Sequence, residues 1–258
     1  WIGYSYPGGK ENTFVLRMAD AKVGKPATIY HFKGSLGHPV FVQDSIDDLY
    51  FFAIEENQFV IRKVSEDAKG QPYSVVVSRK PHGLKYTDYP PQSPQKGTDQ
   101  KVSSGDRNPK NVVYQNGFIW FSQAVNVEGR SAVQWHQINA KSGAIVQTGL
   151  IKSNATNYIQ TTIAVNKNND VLIGFQEVNE NSFISPRFAY RTSKDALGTI
   201  REIVSAGEGK GATDGVSWGD YSGSIIDGDN LLDLWTIQSI TNTKGRGETV
   251  IVKVPFRK

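Results

Sequence analysis

The chain has 258 residues, 38% of them hydrophobic and 21% charged, which supplies one sizeable core and excludes a disordered polymer. A net charge of +4, scattered along the chain, offers no basic stripe for nucleic acid, and no apolar run approaches the ~20 residues that span a bilayer. There is no cysteine, hence no disulfide or thiol chemistry, and the four histidines lack the spacing of a zinc site.

In chain order, Trp1 to Tyr6 already alternates, so the chain opens mid-strand. That reads as an N-terminus removed by processing of a secretory signal or by trimming. With the abundance of Asn, Ser, Thr and Gly, it sets the expectation of an extracytoplasmic bacterial protein. Further strands are predicted at Thr13 to Met18 and Thr28 to Phe32.

A strand–turn–strand phrase then appears four times. Its copies are Val40 to Asp44 with Leu49 to Phe52, and Val112 to Asn116 with Gly117 to Phe121. Then come Ile163 to Asn166 with Val171 to Phe175, and Ser224 to Asn230 with Leu231 to Trp235. A third strand follows each, at Phe59 to Val64, Ala132 to Ile138, Arg187 to Arg191 and Thr249 to Val254. A fourth follows three of them, at Tyr73 to Val77, Ala144 to Thr148 and Thr199 to Val204. Short alternating runs bounded by Gly, Asn, Asp and Pro are the strand signature. Four-stranded meanders recurring every ~50–70 residues predict an all-β fold, a β-propeller. Incomplete copies at both ends leave two options: one propeller of about five blades closed by a shared blade, or part of a larger propeller. The whole chain, 1–258, reads as one domain. The one helical signal, Ser193 to Leu197, is long enough only for a turn.

Lys80 to Ser104 breaks the rhythm with Pro81, Pro90, Pro91 and Pro94. Such a segment is either a surface excursion packed by Tyr86 and Tyr89 or a ligand lid.

In a propeller, residues just before the innermost strand of each blade gather at one mouth of the central channel. Gly105-Asp106-Arg107 and Gly219-Asp220-Tyr221 hold that position in two copies, Gly37-His38 and Tyr158-Ile159-Gln160 in the others. The predicted mouth therefore comprises Asp106, Asp220, His38, Arg107, Gln160, Trp218 and Tyr221, a mixture of acid, cation and aromatic face suited to a polar or sugar ligand. Asp106 and Asp220 are the candidate carboxylate pair for glycoside hydrolysis, with Glu177 a third acid. The competing reading makes both aspartates ordinary turn residues that bond backbone N–H groups.

Asp227, Asp229 and Asp233 crowd one turn, and Asp227 and Asp229 are candidate calcium ligands, although the bidentate Glu of a calcium loop is absent. No other cofactor is expected. His136, on a third strand, is expected to be structural and half-exposed. No nucleophile elbow, phosphate loop or dinucleotide fingerprint is present.

Trp218-Gly219-Asp220-Tyr221-Ser222-Gly223, with the hairpin to Trp235-Thr236-Ile237-Gln238, resembles a motif of bacterial secreted sialidase-like β-propeller proteins. Ser104-Gly105-Asp106-Arg107-Asn108, Val112 to Trp120, Ser131 to Trp135 and Ile163 to Phe175 extend the resemblance over roughly Ser104 to Val254. It implies an exported propeller. A sialidase proper would add an arginine triad, for which Arg107, Arg187 and Arg191 are candidates by position. The expected function is a binding or structural module at the bacterial surface or in an extracellular assembly, with a glycan or partner protein on one face. The alternative is a glycan-active hydrolase using Asp106 and Asp220.

Overall fold

The computed structural model describes residues 2–6, 12–219 and 221–256. The chain divides into two compact units. The first comprises Trp1–Gly83, Val112–Ile119 and Ile138–Ile145, and the second Leu84–Asn111, Trp120–Gln137 and Val146–Lys258.

In the first unit, β1 (Ile2–Tyr6), β2 (Asn12–Leu16) and β3 (Ile29–Lys33) form an antiparallel sheet. β2 stops earlier than the alternation predicts, and a one-turn helix, α1 (Met18–Lys22), follows it. Next come β4 (His38–Pro39), β5 (Phe41–Val42), β6 (Leu49–Glu55), β7 (Gln58–Glu66) and β8 (Pro72–Pro81). The predicted strand Val40 to Asp44 is divided between two partners. His38 and Pro39 pair with Phe52 and Phe51, whereas Phe41 and Val42 run parallel to Val113 and Tyr114 of a later strand. The sheet β4-β6-β7-β8 is a four-stranded blade. Val15, Leu36, Leu49, Phe51 and Val64 make the core between this blade and the first sheet.

From Leu84 on, the proline-rich segment belongs to the second unit and contains a small hairpin, β9 (Ser93–Gln95) and β10 (Thr98–Val102). A meander follows, of β11 (Val112–Gln115), β12 (Phe118–Val127), β13 (Arg130–Asn139) and β14 (Ile145–Ile151), of which Val112–Ile119 and Ile138–Ile145 are counted with the first unit and Trp120–Gln137 and the residues from Val146 with the second. Asn116 and Gly117, both at positive φ (52° and 77°), make the β11–β12 turn, as an Asn-Gly pair predicts.

The second unit continues with β15 (Asn157–Val165), β16 (Val171–Asn179), β17 (Ser182–Arg191) and β18 (Val204–Ser205), a second four-stranded blade. A last antiparallel sheet holds β19 (Gly223–Ile226), β20 (Leu234–Thr241) and β21 (Gly247–Val254). The fold is all-β, built as the succession of antiparallel propeller blades that the repeats predict.

Strands β12, β13, β15 and β16 are buried along almost their whole length, so both faces of their sheets are covered. Polar side chains in them are met by partners on the same or neighbouring strands. Gln123 donates to Gln134 (2.9 Å), Gln147 to Gln137 (2.6 Å) and Gln176 to Gln238 (2.6 Å). Buried amides need such partners. Gly174 is required beside them, because a β-carbon there would lie 2.1 Å from Thr236 Oγ1.

The predicted fourth strand Thr199 to Val204 shrinks to Val204–Ser205. The cause is Arg191, a fully buried guanidinium that takes the carbonyls of Thr199 (3.1 Å) and Asp195 (2.9 Å) and holds the segment as a loop. His136 is fully buried, not half-exposed. Its Nδ1 lies 2.9 Å from Thr148 Oγ1, and its ring lies 4.6 Å from that of Phe121.

Candidate functional site

The corner around Gln160 gathers more of the predicted residues than any other part of the described chain. β15 is bulged between Ile159 and Thr162, and Gln160 sits at the bulge with φ 53°, in the left-handed region. A non-glycine residue there costs on the order of 1 kcal/mol and persists only when its surroundings fix it. They do. Its N–H donates to the Ser104 carbonyl (3.0 Å), its Nε2 to the Ser103 carbonyl (3.1 Å), and its Oε1 accepts from the Lys110 ammonium. The side chain is 2% exposed.

Both Gly-Asp dipeptides press their glycines against it. A β-carbon on Gly219 would stand 2.6 Å from Gln160 Cγ, and one on Gly105 would stand 3.5 Å from Gln160 Oε1. Both glycines have positive φ, 78° and 100°, so only glycine fits their backbone without strain. Gly37, the matching position of an earlier blade, has φ 105°. Three glycines and one glutamine thus share a left-handed backbone at the point where each repeat begins.

Asp106 follows Gly105. Its carboxylate accepts the Asn108 N–H (2.9 Å) and its carbonyl accepts the Ala124 N–H (3.0 Å), while the side chain stays exposed. The turn role and an accessible carboxylate therefore coexist in one residue. Asp220 lies outside the described residues. Tyr221 beyond it is 91% exposed, and Ser222 anchors that turn by donating its N–H to the Gly219 carbonyl (2.6 Å) and accepting from Gln176 Nε2 (3.0 Å).

Other predicted residues take different work. Trp218 is 7% exposed and packs with Val102, Ile159, Val178 and Ile184, so it is core and not a ligand face. Arg107 lies 4.6 Å over the Tyr89 ring and donates to the Thr87 carbonyl (3.2 Å), which pins the proline-rich segment. Tyr86 of that segment packs on Val125, Val127 and Ala132. His38 belongs to the first unit, where it pairs with Phe52.

The three arginines proposed by position do not form one cluster of like role. Arg107 clamps a loop and Arg191 binds carbonyls. Arg187 links Glu177 (2.9 Å) to Glu208 (3.0 Å). The Glu177 carboxylate, the proposed third acid, is thereby engaged. Burial, with the nearby Glu177 charge, pushes the Tyr158 phenol above its ordinary value.

The calcium expectation meets a similar answer at Asp227. Its Oδ2 accepts from Lys253 Nζ (2.8 Å) and Trp235 Nε1 (2.9 Å), and its Oδ1 from the Asp229 N–H (3.0 Å). The Lys253 ammonium, joined by the indole N–H, holds this carboxyl well below the usual range. A cation bound here would have to displace Lys253, which also lies 3.2 Å from Asp233. Asp229 takes part through its backbone N–H, with its side chain in solvent. Among the described residues no group of three or more His, Cys, Asp or Glu side chains is placed to hold a metal.

Sequence reading missed Lys110, which caps the Gln160 amide. A lysine in a turn gives no sign of what its tip reaches.

No protein-family model and no curated protein matches this chain. Solved structures do. A protein of unknown function from Dyadobacter fermentans is 12% identical, over 96% of this chain and 73% of that one, with a TM-score of 0.46. An α-L-arabinanase from Penicillium chrysogenum is 8% identical over 98% and 92% (TM-score 0.39). A GH43 endo-arabinanase from Bacillus licheniformis is 12% identical over 85% and 71% (TM-score 0.36).

Proposed function

We propose that the chain is an extracytoplasmic propeller-type binding module of the sialidase-like kind whose ligand, a glycan, docks at the Gln160 corner. The observation that carries this reading is the clasp itself. Gln160 is held in a left-handed conformation between Gly105 and Gly219, with the exposed Asp106 carboxylate following one glycine and the exposed Tyr221 ring following the other. A rigid backbone bearing an open carboxylate and an open aromatic face suits a hydroxylated ring, which needs a hydrogen-bond acceptor and an apolar surface. The test is affinity electrophoresis through gels containing neutral or acidic polysaccharides. At least one should retard the protein. Tyr221→Ala should weaken that retardation about fivefold, the worth of one aromatic contact, and leave the melting temperature unchanged. Equal retardation of the variant would refute the reading.

A second reading, hydrolysis, is favoured by the Asp106 carboxylate, which is exposed and available to act on a substrate. Release of reducing ends from the retarding polysaccharide, abolished by Asp220→Asn with the fold intact, would establish it. Binding without release leaves the module reading alone.

A further inference from the structure

A cavity of about 600 Å³ opens in the second unit beside the last residues of β17, and none of its lining residues belongs to the Gln160 corner. Its apolar wall is a corner of two rings. Tyr190 and Phe256 stand 5.8 Å apart at 86°, next to Pro255. Its polar rim is the turn Thr192–Ser193–Lys194 with Arg201 and Asn168.

The rim is built rigidly. Asp195 accepts the Thr192 N–H (2.8 Å) and holds Arg201 through two bonds of 2.9 Å, and that guanidinium lies 5.5 Å over the Tyr190 ring. Asp170, 6% exposed, accepts the Ser193 N–H (2.8 Å) and the Asn166 amide (3.0 Å), so both its oxygens are engaged. The charges are accounted for in the same way. Asp195 faces Arg201, and both Asp195 and Asp170 attract the buried Arg191 guanidinium behind the rim. Two carboxylates thus stand against three cations, and the third, Lys194, is exposed with no ion-pair partner among the described residues.

We infer that this cavity binds a six-membered ring carrying a single carboxylate, its ring in the Tyr190–Phe256 corner and its carboxylate on Lys194. The ring is neither large nor highly charged: the cavity lies in the range of small-ligand sites and offers one uncommitted cation. An aryl acid and a uronic acid share this chemistry, and the Gln160 reading is not needed for either.

Isothermal titration with benzoate and with glucuronate, against benzyl alcohol and glucose as uncharged counterparts, tests it. At least one acid should bind with a dissociation constant of about 1 mM, the strength expected for so few atoms. It should bind about threefold to fivefold better than its counterpart, the worth of one exposed ion pair. Lys194→Ala, an exposed change that leaves the fold alone, should erase that preference, and Lys194→Arg should keep it. Which acid binds distinguishes an aryl from a sugar source. Failure of both acids to saturate, equal binding of the neutral compounds, or a preference that survives Lys194→Ala would each overturn the inference.

Discussion

Asp106 and Asp227 begin alike. Each caps its own turn by accepting the N–H two residues on, at 2.9 Å and 3.0 Å. They differ in what the neighbouring strands deliver. Trp235 and Lys253 face each other in register across β20 and β21, and both reach Asp227. That carboxylate is buried and committed, whereas Asp106 remains exposed. Turn chemistry, the part visible in a Gly-Asp or Asp-Gly dipeptide, does not decide whether an aspartate is available to a ligand. The cross-strand partner does.

The comparison breaks most sharply at Asp227. Asp227→Ala strands the Trp235 indole N–H and leaves Lys253 with Asp233 as its carboxylate partner. Its melting temperature should fall further than that of Gly219→Ala, Asp195→Asn or Asp106→Asn, with no effect on polysaccharide retardation. If calcium were the purpose of this turn, added calcium would raise the melting temperature of the wild type and not of the variant. Calcium-independent melting of both is expected.

Gly219→Ala comes next. It forces a β-carbon to within 2.6 Å of Gln160 Cγ at a backbone φ of 78°, and strain and overpacking together should cost about 1–3 kcal/mol by urea denaturation. Unlike Asp227→Ala, this loss should be accompanied by weaker ligand retardation, because the clasp carries the proposed site.

Acid separates committed from open carboxylates without mutation. Asp195 is held down to about 2 from 3.8, first by its bonds to Arg201, and Asp227 is also lowered. A carboxyl whose pKa is lower folded than unfolded contributes stability above its unfolded value, and that contribution is lost as pH falls through the folded value. Melting temperature should therefore hold down to about pH 4 and decline toward pH 2. Asp195→Asn should flatten part of that decline.

How much of this was legible depends on range. Blade hairpins were legible because their information is local: apolar runs of strand length, with Asn116-Gly117 supplying the two positive φ values of a tight turn. The two glycines at the Gln160 corner were legible for the same reason. What escaped is set by long reach. Gln160 is legible as a candidate by its place at the start of a repeat, but its left-handed φ is not, because it follows from partners 50 or more residues away, at Lys110 and Ser103. Trp218 lies three residues before the exposed Tyr221, yet its neighbours in space are Val102, Ile159, Val178 and Ile184. Residues Thr199 to Ile203 have strand composition, and one buried arginine, Arg191, overrides it by capturing a carbonyl.

The smallest effect on stability should come from Asp106→Asn, and it is the most informative about function. Asparagine keeps the side-chain oxygen that accepts the Asn108 N–H, so the turn survives, and no shielded ion pair is broken because the side chain lies in solvent. The melting temperature should not move beyond error. What the change removes is the negative charge at the corner. If Asp106 accepts hydrogen bonds from a glycan, retardation should weaken, since a charged acceptor bonds more strongly than an amide oxygen. If retardation is unchanged, Asp106 is a turn residue that happens to be exposed, and the difference from Asp227 is one of burial and not of role.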